Sequence, residues 1–148
     1  MIALIQRVSK GKVVIENQAH SEIHQGYIIL LGICEGDDKE DLLKLVEKIV
    51  NLRIMSDKQG KMNQSILETK GEMLVVSQFT LCADITGGRR PSFIKAMKPD
   101  EAEKLYRLFI EKLQQHDIPV KTGKFGEYME IQIFNDGPVT IIVDSKKL

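Results

Sequence analysis

Two short segments concentrate the residues that could do chemistry. The first is Ser77-Gln78-Phe79-Thr80-Leu81, where a valine-rich run abruptly turns polar and brings two hydroxyls and an amide together. Strand alternation puts Val75, Ser77 and Phe79 on one face and Val76, Gln78 and Thr80 on the other. Ser77 and Thr80 therefore cannot converge in a straight strand. Three readings stay open: the strand bends, the backbone carries the chemistry, or the hydroxyls only cap a strand end. The second segment is Asn135-Asp136-Gly137-Pro138-Val139-Thr140. Asn-Asp-Gly is a turn signal, and Pro138 can open a strand, where its missing N–H is tolerated. Residue statistics alone favour a trans Gly137-Pro138 bond.

Other reaction classes find little support. The histidines His20, His24 and His116 form no HExxH, and the first two lie in strand-like sequence, where a spacing of four separates side chains. No CxxC or Cys/His cluster suggests zinc. Cys34 and Cys82 sit in apolar surroundings and read as two buried free thiols of a reducing compartment. Thr122-Gly123-Lys124-Phe125-Gly126 lacks the spacing of a phosphate loop and reads as a turn. No GxGxxG or GxSxG occurs. A metal or organic cofactor is not expected. Arg89 and Arg90, in a glycine-containing loop, are either a solvated surface or phosphate contacts.

Composition narrows the class further. The 148 residues are 43% hydrophobic and carry 21 basic against 21 acidic side chains. That is enough apolar material for one core and argues against a disordered chain. A formal net charge of zero argues against non-specific coating of nucleic acid, so DNA is not an expected partner and any RNA contact should be local. The first residues carry a charge too early for a signal peptide. No apolar stretch approaches the roughly 18 residues of a membrane span. The chain reads as a soluble cytoplasmic protein whose residues 1–148 form a single domain.

The elements that must position the two segments can be sketched from periodicity. Residues 2–8 and 12–16 read as short strands separated by a turn at Lys10-Gly11-Lys12. Residues 27–33 are continuously apolar, as in a strand buried on both faces. A helix is expected over 38–51, with Leu42, Leu45, Val46, Ile49 and Val50 inward and Asp37 with Glu40 as its capping pair. Residues 53–70 look irregular, 72–81 read as a core strand, and 83–98 as a loop. Pro99, Asp100, Glu101 and Glu103 suit the start of a second helix over 99–115. Strands are expected at 118–122, 127–134 and 138–144. The sum is an α/β fold: a mostly antiparallel, barrel-like sheet with two main helices.

With both segments in view, the chain resembles the D-aminoacyl-tRNA deacylases. That family carries an SQFTL motif, matched by Ser77 to Leu81, and an N-x-G-P-V-T motif, matched by Asn135 to Thr140. Ile5-Gln6-Arg7-Val8, Asn51-Leu52-Arg53-Ile54, Lys61-Met62-Asn63, Gly88-Arg89-Arg90-Pro91-Ser92-Phe93 and Thr122-Gly123-x-Phe125-Gly126 extend the likeness over essentially the whole chain, in order. Cys82 stands where an aromatic is common, and Ile85-Thr86-Gly87 replaces a more basic stretch. These departures bear on the loop's tRNA contacts rather than on the reaction.

The resemblance implies a homodimer that hydrolyses the ester between a D-amino acid and the 3′-terminal ribose of tRNA. It further implies that Gly137-Pro138 is cis and projects into the partner's pocket, and that Gly137, Pro138, Val139 and Thr140 bind the substrate and select its chirality. The reaction needs N–H donors aimed at a developing oxyanion, and the backbone around Phe79 and Thr80 is the candidate. Ser77 and Gln78 shape the pocket. Thr80 lacks an evident base, so attack by water, assisted by the ribose 2′-OH, is favoured over a covalent route. If the Gly137 and Pro138 carbonyls hold the substrate amine, an L side chain strikes the rigid peptide and a D side chain points away. Glycyl-tRNA should then leak through. Arg7 is expected to orient the Gly-Pro corner, and Arg89 and Arg90 to touch the acceptor end. A small esterase and a non-catalytic aminoacyl-tRNA binder are the alternative classes.

Overall fold

The computed structural model describes all 148 residues. Its centre is a strand longer than local sequence suggests. β1 (Ile2–Ile15) runs through the expected turn at Gly11 without a break. Gly11 is buried and paired with both Ile23 and Ile133. A Cβ there would come within 2.6 Å of Ile28 Cδ1, so the glycine serves close packing rather than a turn.

One edge of β1 pairs antiparallel with β2 (Gln18–Ile23) and β3 (Gly26–Gly32). After β3 the chain forms α1 (Lys39–Asn51), a small hairpin of β4 (Met55–Ser56) and β5 (Met62–Gln64), and the one-turn helix α2 (Ile66–Thr69). The stretch expected to be irregular is therefore ordered. β6 (Glu72–Ser77) lies parallel to β3, and β7 (Val120–Thr122) parallel to β6. Between them stands α3 (Pro99–Gln114), with Pro99 in its first turn. β8 (Glu130–Asp144) covers the other edge of β1 along most of its length. It joins the two strands expected at 127–134 and 138–144. The turn signal at Asn135–Gly137 becomes an interruption of register inside one strand.

The sheet is mixed and nearly closed, and the strands buried on both faces explain why. On one face Tyr27, Ile29, Leu31, Met73 and Val75 join the inward stripes of α1 and α3 in the larger core. On the other, Ile28, Leu74 and Val76 pack against Val8, Val13 and Ile23, brought over by the curl of β1 and β2. The expected inward residues of α1 are all buried, and α3 buries Ala102, Tyr106, Phe109 and Leu113. No helix is long and apolar enough to cross a membrane.

Two local expectations change. The cap of α1 is Asp38, which accepts from the Glu40 and Asp41 N–H groups while Asp41 accepts from the Asp38 N–H. Asp37 instead takes the buried α-ammonium of Met1 at 2.6 Å, beside Ser145 at 2.8 Å, and the Cys34 N–H at 2.7 Å. Cys34 and Cys82 are not free thiols. They form a disulfide with a Cα–Cα distance of 5.7 Å, because the end of β3 and the segment after β6 lie side by side. The bridge closes a 48-residue separation, for which chain entropy gives a stabilisation of roughly 4 kcal/mol.

Candidate active site

β6 ends where its residues turn polar. Gln78 donates its N–H to Leu31 O at 2.8 Å, the last rung toward β3. Its backbone (φ −145°, ψ 79°) then leaves the sheet for a 3-10 turn over Phe79–Cys82. The bend is the first of the three readings of this segment, and it frees backbone donors as well. The turn's first i to i−3 bond is Leu81 N–H to Gln78 O at 3.2 Å, so the N–H groups of Phe79 and Thr80 lie ahead of it.

The expected residues separate in space. Ser77, Gln78 and Phe79 line an open cavity of about 710 Å³, whose walls are mostly apolar. Phe79 is 57% exposed and meets Phe93 edge to face, with ring centroids 5.0 Å apart. Thr80 does not line the cavity, and its hydroxyl is hydrogen-bonded to the Gln78 side-chain amide. No histidine or carboxylate hydrogen-bonds Thr80 Oγ1.

Sequence reasoning missed most of the remaining wall. Ile94 and Tyr128, 89% and 92% exposed, stand at the cavity with Met97, Lys98 and Glu127. These residues come from the loop before α3 and the loop between β7 and β8. Phe93, Phe125 and Gly126 lay within recognised motifs, whereas Ile94, Met97, Lys98, Glu127 and Tyr128 carry no local sequence signal. They become neighbours because β7 lies beside β6.

The second segment forms a different corner, absent from the cavity wall within this chain. Gly137-Pro138 is a cis peptide, and both residues are exposed. Gly137 has φ +122°, a region that favours glycine. Its absent Cβ would stand 2.8 Å from Val139 Cγ2 and 3.0 Å from Arg7 Nη2. Asn135 spans the corner by donating Nδ2–H to Val139 O at 3.1 Å, and Gln6 Nε2 donates to Thr140 Oγ1 at 3.2 Å.

Arg7 braces this corner. It is 7% exposed, and its Nε donates to Asp136 O at 3.2 Å and pairs with the Asp136 carboxylate at 3.0 Å. Its Nη1 donates to Ile54 O at 2.8 Å and Ser56 Oγ at 3.1 Å. A planar guanidinium can reach both the hairpin and the corner at once, which a lysine cannot.

Arg89 and Arg90 are exposed in the loop closed by the Asp84–Ser92 bridge. Asp84 is held well below the usual carboxylate range by hydrogen bonds from Thr86 and Lys95. Its charge is thus taken by Lys95, at 2.9 Å, and not by either arginine. No three His, Cys, Asp or Glu side chains converge to hold a metal ion.

Comparison with known proteins agrees with this architecture. A family model described as D-Tyr-tRNA(Tyr) deacylase matches residues 4–144. The chain is 52% identical over 148 residues to the D-aminoacyl-tRNA deacylase of Nitratiruptor sp. and 51% identical to that of Persephonella marina, with all of each chain covered. Among solved structures, a c-Myc DNA unwinding element binding protein superposes with a TM-score of 0.92 at 40% identity, covering 97% of this chain and 98% of that one. A probable eukaryotic D-amino acid tRNA deacylase shares the fold, with a TM-score of 0.80 at 18% identity and the same coverage. This protein therefore belongs to the D-Tyr-tRNA(Tyr) deacylase family.

Proposed function

We propose that this protein hydrolyses the ester linking a D-amino acid to the 3′-terminal ribose of tRNA, as a cytoplasmic homodimer with one cavity per protomer. The observation that carries the reading is the turn at Gln78–Thr80: it opens beside an apolar cavity and offers backbone N–H groups where no side-chain base is at hand. An aminoacyl ester is already activated, so donors aimed at the developing oxyanion supply the main need. Water attacks with help from the substrate's 2′-OH, and Thr80 positions groups without forming a bond to substrate.

The exposed Gly137-Pro138 corner fits a role in the neighbouring subunit's cavity, since it stands apart from its own. Its carbonyls hold the substrate amine there. An L side chain is excluded by collision, a D side chain points away, and glycine passes. Arg7 keeps the corner in place. Arg89 and Arg90, with exposed charges, contact phosphates of the acceptor end, a local electrostatic contact suited to a chain of zero net charge.

The experiment is a matched pair. One tRNA is charged with D-tyrosine and with L-tyrosine, and ester hydrolysis is followed with purified protein and a chelator present. Rapid loss of the D-ester alone is expected. Equal loss of both overturns the exclusion at Gly137-Pro138. Loss of neither leaves an aminoacyl-tRNA binder.

A further inference from the structure

The disulfide stands behind the cavity wall that carries Phe79. Between Gln78 and Asp84 the backbone hydrogen bonds stay inside the turn, as in Leu81 N–H to Gln78 O and Ala83 N–H to Thr80 O. The turn is tied to its surroundings at its two ends, by Gln78 to Leu31 and by Asp84 to Ser92. In the middle its covalent tie is Cys82 to Cys34.

Cys34 is itself a junction. It forms a bridge with Ala96, Glu35 donates its N–H to Lys95 O at 2.8 Å, and Met97 donates to Ile33 O at 3.0 Å. Ile33, Phe79, Ala96 and Met97 all line the cavity. One covalent bond thus joins the end of β3, the turn of Phe79 and, through the bridge, the loop before α3. Cys34 is half-buried, which gives a reductant its approach, while Cys82 is buried.

We infer that Cys34–Cys82 is a reversible redox-modification site that sets the competence of this cavity, a conclusion resting on the proposal that hydrolysis takes place there. In a reducing compartment a disulfide of this kind is transient or redox-sensing rather than permanent. The chemistry is thiol–disulfide exchange with a dithiol protein or small dithiol. A reductant thiolate attacks one sulfur, the S–S bond breaks, and the other cysteine leaves as a thiolate that takes up a proton. The reductant's second thiol then releases the first cysteine. The products are two cysteine thiols and an oxidised reductant. With the bond formed, the Phe79 and Thr80 N–H groups are held in position. With it reduced, the turn moves relative to Ile33 and Met97, and hydrolysis slows. Misplacement of reacting groups by about 1 Å can cost 10²-fold in rate, so a loss of tenfold or more in kcat/KM is expected.

The test compares oxidised and dithiothreitol-reduced wild type on D-tyrosyl-tRNA, at a temperature where circular dichroism shows both folded. The double variant Cys34→Ala/Cys82→Ala runs beside them, and amide hydrogen exchange is read over residues 79–97. Oxidised protein should be the faster enzyme, diamide should restore the reduced protein, and the double variant should match the reduced form and ignore both reagents. Exchange over 79–97 should rise on reduction while β1 stays protected. Equal rates in the two states overturn the inference, as does a dithiothreitol effect that persists in the double variant. Two titratable thiols remaining after diamide overturn it as well. If neither state hydrolyses the ester, raised exchange over 79–97 still upholds the redox release and the failure belongs to the proposed reaction; unchanged exchange overturns the inference too.

Discussion

The side chains most suggestive of nucleophilic chemistry are poorly placed for it. Thr80 does not line the cavity and is engaged by the Gln78 amide, with no base hydrogen-bonded to take its proton. Thr80→Ala should retain D-tyrosyl-tRNA hydrolysis within about fivefold, below the 10²–10⁴-fold that a proton-transfer group supplies. A complete loss in a folded protein would replace water attack with a covalent route. Gly137 behaves oppositely. Gly137→Ala puts a Cβ against Val139 and the Arg7 guanidinium at a φ that L residues rarely adopt. It should lower D-ester hydrolysis at least tenfold and narrow the D-to-L rate ratio, measured on the matched tRNA pair. Both motifs were legible as residues, but Arg7 could be tied to the corner only through the family resemblance. Its partners Asp136 and Ile54 are 129 and 47 positions away, a separation that carries no local signal.

At the scale of elements, helices were the most legible, because period and caps are local. The N-terminus of α1 offers a direct check. Asp38→Ala removes an acceptor for two N–H groups and should cost about 1 kcal/mol. For a chain of this size that lowers Tm by roughly 2–4 °C, readable by calorimetry. Asp41, in the same turn, links fold and pH. Burial acts to raise its pKa, but hydrogen bonds from Lys146, Ser145 and the Asp38 N–H prevail and hold it at about 2, below the ordinary 3.8. A depressed carboxylate stabilises fully above its unfolded value and loses that contribution as pH falls through the folded one. Urea midpoints should therefore drop between about pH 4 and pH 2, with a smaller drop for Asp41→Asn. Strands were less legible. Gly11 and Asn135-Asp136-Gly137 look like hairpin turns, yet a close approach and a register shift use the same residue types.

For the whole molecule, the question is what β8 faces. Its far edge carries no strand, and its Phe134 and Ile142 side chains are exposed. An apolar edge strand of 15 residues invites pairing with a second chain, in line with the proposed homodimer. Ile142→Lys should shift sedimentation from dimer to monomer and abolish hydrolysis, since each cavity would lose the other chain's Gly137-Pro138. A monomer that remains fully active would overturn the cross-subunit site.

Local sequence encodes α1 and α3, the strands buried on both faces, and the two motifs with their family. All of these are written in spacings of a few residues, where period, capping and turn chemistry act. The tertiary structure alone decided which distant segments meet. It made β1 and β8 continuous, chose Asp37 as partner of the Met1 ammonium, and set Cys34 against Cys82. It also placed Gly137-Pro138 outside its own cavity. The reason is physical: the pairing of β3 with β6 and the curl of β1 fix those neighbours, and long-range packing leaves no trace in the local pattern of a chain.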